Sequence, residues 1–189
     1  HEESEIKEEQ LIKEEDIVIT LTYSGYVKQL PLEQYKMQRR GGKGVVGAQL
    51  KEEDAIKQVI VTSNTNQLLI FTNKGKVHWI KAYEIPESSK HSKGKHIANL
   101  LKLEKDENIN AVLSVAKFDA NKFIIAATKN GLIKKTNLEE YSNPRYGGIK
   151  AINLKNNDEL VDVKITDGNS TVVLATSNVF ALKFNESYV

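Results

Sequence analysis

Cysteine is absent from these 189 residues, which excludes disulfide staples, Cys-ligated zinc and a thiol nucleophile. Three prolines and eleven glycines are too few for a disordered or low-complexity chain. No apolar run approaches the roughly 18 residues that a membrane-spanning helix needs, and the N-terminus carries acids where a secretory signal has a basic and then apolar start. A cytoplasmic protein is the expectation. Absent too is a constellation of acid, base, nucleophile or metal ligands. His78, His91 and His96 have no second ligand at helical or hairpin spacing, and two of them sit in a cationic loop that repels a divalent ion. The Gly-Gly-Lys-Gly string at 41–44 fails as a P-loop, since Met37 stands where the first glycine belongs and Gly44 where Ser or Thr belongs. Neither catalysis, nor a metal, nor a cofactor is expected of this chain.

What is present is a chain of globular composition, 40% hydrophobic and 28% charged, long enough to bury a core. The formal charge of +2 conceals an asymmetry. Residues 1–16 hold eight acids against Lys7 and Lys13 and read as a separate acidic linker. Residues 17–189 then hold 25 basic and 17 acidic side chains, so the folded body is cationic and its expected partners are polyanions.

Apolar runs of strand length recur at 17–21, 68–71, 123–127 and 172–175. The first three lead into turns at Gly25, Gly75 and Gly131, where glycine supplies the positive φ of a tight hairpin, and then into returning strands at 26–30, 76–80 and 132–136. The fourth returns through 180–184, with Val179 where the others have glycine. After each hairpin come a polar loop with glycine (38–44, 88–95, 143–150), an acidic turn (52–54, 105–107, 157–159) and another strand (59–62, 111–115, 161–165). The hairpin glycines lie 50 and 56 residues apart, and Gly44, Gly94 and Gly148 follow them by 19, 19 and 17. Self-similarity at this period predicts a repeat architecture. The expected fold is all-β, a propeller-like array of four-stranded antiparallel blades, about three and a half in number, with almost no helix. The expected boundaries are repeat 1 at about 17–66, repeat 2 at about 67–121, repeat 3 at about 122–170 and a partial repeat 4 at about 171–189. A solenoid is the alternative.

The sharpest local feature is the loop Gln38, Arg39, Arg40, Gly41, Gly42, Lys43, Gly44, with three cations, three glycines and no acid. Glycines let backbone N–H groups approach an anion, arginine forks onto phosphate oxygens and lysine adds a point charge. Weaker versions recur around Gly94 (Lys90, Lys93, Lys95) and around Gly147 and Gly148 (Arg145, Lys150), with Lys74, Lys76, Lys134 and Lys135 beside them. Windows 35–46, 74–95 and 129–150 carry net charges of +4, +4 and +3. Such spacing suits a bent duplex held by its backbone. Base readout is not expected, because no rigid helix is apparent to enter a groove. Lysines such as Lys28 also suit an edge-strand charge that discourages aggregation, and Trp79 and Tyr83 suit packing better than base stacking.

Residues 38–44 resemble the seven-residue box of the C-terminal DNA-wrapping domains of the DNA gyrase A protein, and the match is complete. Residues 15–22, 25–28 and 71–77 are similar to the same family, whose likeness extends over 11–189. The resemblance implies a β-pinwheel of usually six blades, of which this chain would be the N-terminal half. It implies wrapping of double-stranded DNA without sequence specificity, so that strand passage becomes directional in ATP-dependent negative supercoiling. The implied partners are the gyrase A catalytic core, to which the acidic segment would link, and the gyrase B protein in an A2B2 complex. ATP and magnesium would serve that holoenzyme and not this chain. The family's catalytic tyrosine lies upstream, and none of the seven tyrosines here matches it. The alternatives are the corresponding domain of topoisomerase IV, which usually lacks an intact box, and a propeller-like protein-interaction scaffold.

Overall fold

The apolar runs at 17–21 and 68–71 make strands buried on both faces, while the run at 172–175, expected to be buried too, is half-exposed, with Val173 open to solvent. The computed structural model describes residues 11–40, 55–89, 92–175, 177 and 181–189, with the backbone alone for 38–40. The first half comprises β1 (Asp16–Thr22), β2 (Tyr26–Pro31), α1 (Leu32–Arg40), β3 (Ile56–Ser63), β4 (Gln67–Thr72), β5 (Lys76–Lys81) and the two-residue β6 (Lys95–His96). The second comprises β7 (Ile109–Val115), β8 (Phe123–Thr128), β9 (Ile133–Asn137), β10 (Ile149–Lys150), β11 (Leu160–Thr166), β12 (Thr171–Ala175) and β13 (Ala181–Asn185). Short 3-10 turns follow β5, β6, β9 and β13.

The sheets are ordered β3-β1-β2-β6, β10-β5-β4-β7, β11-β8-β9 and β12-β13. The first two are the expected four-stranded blades; the third has three described strands and the fourth two. By compactness the chain divides into residues 1–69, 79–105 and 114–116, and residues 70–78, 106–113 and 117–189. In the first unit β1 is central, with Ile19 opposite Gln29 on one side and Ile60 on the other. All six residues of β4 are buried, as the unbroken run Leu68–Phe71 requires of a strand covered on both faces. In the second unit Ile124, Leu138, Leu160 and Val163 close the core around β8 and β11.

Two features differ from the sequence expectation. One is α1, a helix where no periodic segment was apparent. Pro31 fixes φ just ahead of it, Glu33 occupies its first turn, and Glu33 accepts from Lys36 at 2.9 Å one turn on. These local terms add to partial packing, in which Leu32 and Tyr35, one turn apart, are half-buried while Met37 is 65% exposed. The backbone of Gln38, Arg39 and Arg40 therefore lies in a helix and not in a loop. The other is the source of the outermost strands. β6 pairs with β2 and β10 with β5, so each of the first two sheets is completed by two residues from the following sequence repeat. The turn at Val179 lies outside the described residues, as do the acidic leader at 1–10 and the acidic turn at 52–54.

Near the C-terminus of the described chain, Glu186 has a fully buried carboxylate. It accepts from Thr166 Oγ1 and the Ser170 amide, both at 2.6 Å, and faces Lys135 Nζ at 3.4 Å. Burial raises the carboxyl's pKa, but these donors and the ammonium outweigh it and hold it below the ordinary glutamate value. A lowered folded-state pKa gives stability that is present above the unfolded value and lost as pH falls through the folded one. Glu186→Gln is expected to cost about 2 kcal/mol at pH 7, roughly 4–8 °C in melting temperature. The gap to the wild type should close as thermal unfolding is followed down into the acid range.

Candidate nucleic-acid interface

The pairing of β6 and β10 with strands of the preceding repeat brings each basic loop to the end of a hairpin. Gly94 and Gly148, at φ +81 and +73, enter these short strands where the chains nearly touch. A Cβ at Gly148 would stand 2.6 Å from the Val77 carbonyl and 2.8 Å from the His78 ring, and one at Gly94 would meet the Val27 carbonyl and, at 2.9 Å, the Lys28 Cβ. Close approach requires glycine at both.

In the second of these contacts the register sets Lys150 directly opposite Lys76. Cross-strand partners have Cβ atoms about 4.5–5.5 Å apart, so basic residues of two different repeats stand side by side. Arg145 is exposed in the loop leading to β10, and its carbonyl accepts from the Gly148 amide at 3.0 Å. Beside it Tyr146 is 91% exposed. Tyr146 was not among the residues expected at the surface; the available signal was an aromatic flanked by Arg145 and glycines, with no apolar neighbour to make it core.

The first contact is arranged differently. Lys95 on β6 is exposed and sits opposite Val27. Lys93 Nζ lies 4.8 Å over the Tyr26 ring, whose other neighbour is the His96 ring at 5.2 Å, edge to face. Lys74, in the turn after β4, and Lys76 are half-buried. Lys134 and Lys135 both have partners within the fold: Lys134, although exposed, donates from Nζ to the Ala151 carbonyl at 2.9 Å. Lys135, 16% exposed at its side chain, packs its ammonium 4.6 Å over the Phe123 ring beside Glu186. Lys90, the side chains of Gln38, Arg39 and Arg40, and all of Gly41, Gly42, Lys43 and Gly44 lie outside the described residues. Trp79 and Tyr83 are half-buried.

His78, weighed above as a metal ligand, is buried, and its Nε2 lies 2.8 Å from Glu107 Oε1. Among the described residues no group of three or more His, Asp or Glu could hold a metal ion. Nor, among them, is any helix long and apolar enough to cross a membrane.

A family model described as the DNA gyrase C-terminal domain, beta-propeller, matches residues 16–63, 66–116 and 122–167. The chain is 44% identical over 184 residues to the DNA gyrase A protein of Clostridium acetobutylicum, covering 97% of this chain and 22% of that protein. It is 45% identical over 186 residues to the DNA gyrase A protein of Buchnera aphidicola, covering 98% and 22%. Among solved structures it resembles the C-terminal domain of a DNA topoisomerase IV, with TM-score 0.76 and 35% identity over 95% of this chain and 54% of that one. It also resembles a DNA gyrase A C-terminal domain, with TM-score 0.68 and 26% identity over 93% and 56%. The all-β, propeller-type fold is thus shared with both. The chain spans about a fifth of the length of the curated relatives it matches.

Proposed function

We propose, since this chain belongs to the DNA gyrase C-terminal domain family, that it binds and wraps duplex DNA through its backbone, without sequence specificity. It contributes no catalysis of its own. The observation that carries this reading is the register that sets Lys150 of one repeat opposite Lys76 of the preceding one, so that basic residues of two repeats meet at one sheet edge. Arg145, Lys93 and Lys95 extend the cationic surface within their own loops, and Gln38–Gly44 supplies the densest cluster in the sequence. Lys74 and Lys90 add to the same basic repeats. Lys134 and Lys135 serve the fold first, given their partners within it. In the parent enzyme the domain works in the cytoplasm beside the gyrase A catalytic core and the gyrase B protein in an A2B2 assembly. There it makes ATP- and magnesium-dependent strand passage directional.

Gyrase is favoured over topoisomerase IV by the complete box at 38–44 and by the 44–45% identity to two DNA gyrase A proteins over nearly the whole chain. The test is a salt titration against random duplex. With about six phosphate contacts, affinity should fall on the order of a thousandfold between 50 and 200 mM salt. A flat titration would favour a protein-interaction scaffold instead.

A further inference from the structure

The outer edge of β2 reads along the second basic loop residue by residue. Gln29 takes its entry: the Gln29 amide donates to the Pro86 carbonyl at 3.1 Å and the Ser88 amide to the Gln29 carbonyl at 3.2 Å. Tyr26 and Val27 take its exit by pairing with His96 and Lys95. Between them stands Lys28, whose Nζ donates to the Ser89 carbonyl at 3.2 Å and the Ser92 carbonyl at 2.8 Å. These acceptors lie 61 and 64 residues away in sequence, so one ammonium ties together two points of a loop from the next repeat. A Lys28 so engaged points its charge at carbonyl oxygens of its own fold. The trans peptide then turns the amide N–H of Lys93 away from Lys28.

The second repeat has its counterpart. His78 stands three residues after Gly75, as Lys28 stands three after Gly25. Its ring packs against Gly148 as the Lys28 Cβ packs against Gly94, and it is itself held by Glu107. The residue at this place meets the incoming loop in both sheets, by different chemistry.

Resting on the DNA-binding reading above, we propose that Lys28 is a positioning residue. It shapes the loop carrying Lys93 and Lys95 for phosphate and does not itself bind phosphate. A phosphate ligand and a loop clamp differ in what they do to the salt dependence: losing a ligand lowers the log–log slope by about one, while losing a clamp leaves the slope and loosens the loop.

The test uses the 189-residue chain with Lys28→Met, which keeps an unbranched stem, and Lys28→Arg, which keeps the donors. Lys95→Met serves as the comparison. Each is titrated with a random-sequence duplex across salt. Bending at saturation is read by energy transfer between the duplex ends, and amide exchange at Ser92, Lys95 and Ile97, whose N–H groups the loop and β2 hold, is followed without DNA. Lys28→Met should speed that exchange roughly tenfold, leave the salt slope unchanged and reduce the bend, and Lys28→Arg should restore exchange and bend. Lys95→Met should lower the slope by about one with little effect on exchange. A slope lowered by one in Lys28→Met with exchange unchanged makes Lys28 a DNA ligand and overturns the proposal, as does no change in any readout. A wild-type chain that binds no duplex overturns the DNA-binding reading and this inference with it, and that is seen before any substitution is made.

Discussion

Replacing Arg39, Arg40 and Lys43 together by alanine is expected to abolish wrapping while leaving binding detectable. Only the segment Gln38–Gly44 combines adjacent arginines with three glycines; the later loops offer isolated lysines and one arginine around Gly94 and Gly148. Losing three cations removes about three phosphate contacts, so the log–log salt slope should fall by roughly three. Lys76, Lys93, Lys95, Arg145 and Lys150 remain to hold a straight duplex. Bending 20–30 base pairs by 40–90° costs about 1–6 kcal/mol, and a strand that has lost its strongest fastener relaxes before it dissociates. The measurement is energy transfer between the ends of a labelled duplex, with wild type and variant each at saturation, and negative supercoiling when the same substitutions are placed in a whole gyrase. Unchanged bending together with unchanged supercoiling would reduce the box to one more basic loop. Circular dichroism should show the blades intact in the variant, since the described core is built from other residues.

Gly94→Ala and Gly148→Ala should be among the most damaging single-methyl additions to this fold. Each places a Cβ at positive φ, and each drives it into the backbone carbonyl of a paired strand, Val27 or Val77. Left-handed strain of about 1–3 kcal/mol adds to a clash worth about 1–3 kcal/mol. A total of about 3 kcal/mol corresponds to roughly 6–12 °C in melting temperature for a chain of this size. Gly131 and Gly147 are the controls, because at φ +84 and +82 they share the backbone conformation but have nothing within 4 Å of an added Cβ. Alanine there should cost only about 1–2 kcal/mol. Equal losses at all four positions would mean that backbone conformation alone matters and that the close approach to β2 and β5 contributes nothing. Gly148→Ala should further weaken duplex binding, because releasing β10 separates Lys150 from Lys76.

The strands were legible in the sequence because each is an apolar run ended by a turn. Residues 17–21, 68–71, 123–127 and 172–175 fall within β1, β4, β8 and β12, and the hairpin glycines Gly25, Gly75 and Gly131 have the positive φ expected of them. The helix α1 was not legible: nine residues give too few turns for a period to show, and of Leu32, Tyr35 and Met37 only the first two are even half-buried. The two-residue β6 and β10 are too short for any period to reveal. Their only trace was the regular distance of Gly94 and Gly148 from the hairpin glycines. That regularity located two candidate loops but not what they dock against, because strand pairing between residues 26 and 96, or 76 and 150, leaves no local pattern. For the same reason the sequence put Lys76 and Lys150 on one candidate surface without showing that they face each other. It also offered Lys134 and Lys135 as candidates of the same kind, although a carbonyl and a carboxylate from distant residues already engage their ammonium groups.

Because β2 receives its outer neighbour from the next repeat, the first sheet is made in instalments. His96, the last residue it needs, is synthesised 33 residues after Ser63, where β3 ends. At about 5–20 residues per second, the β2 edge waits some two to seven seconds for its partner, offering unpaired amides to any other nascent strand nearby. Lys28, in the middle of that edge, places a charge where sheets otherwise join edge to edge. The same side chain that later ties down the loop would first keep a half-finished blade from pairing with its neighbours on a polysome.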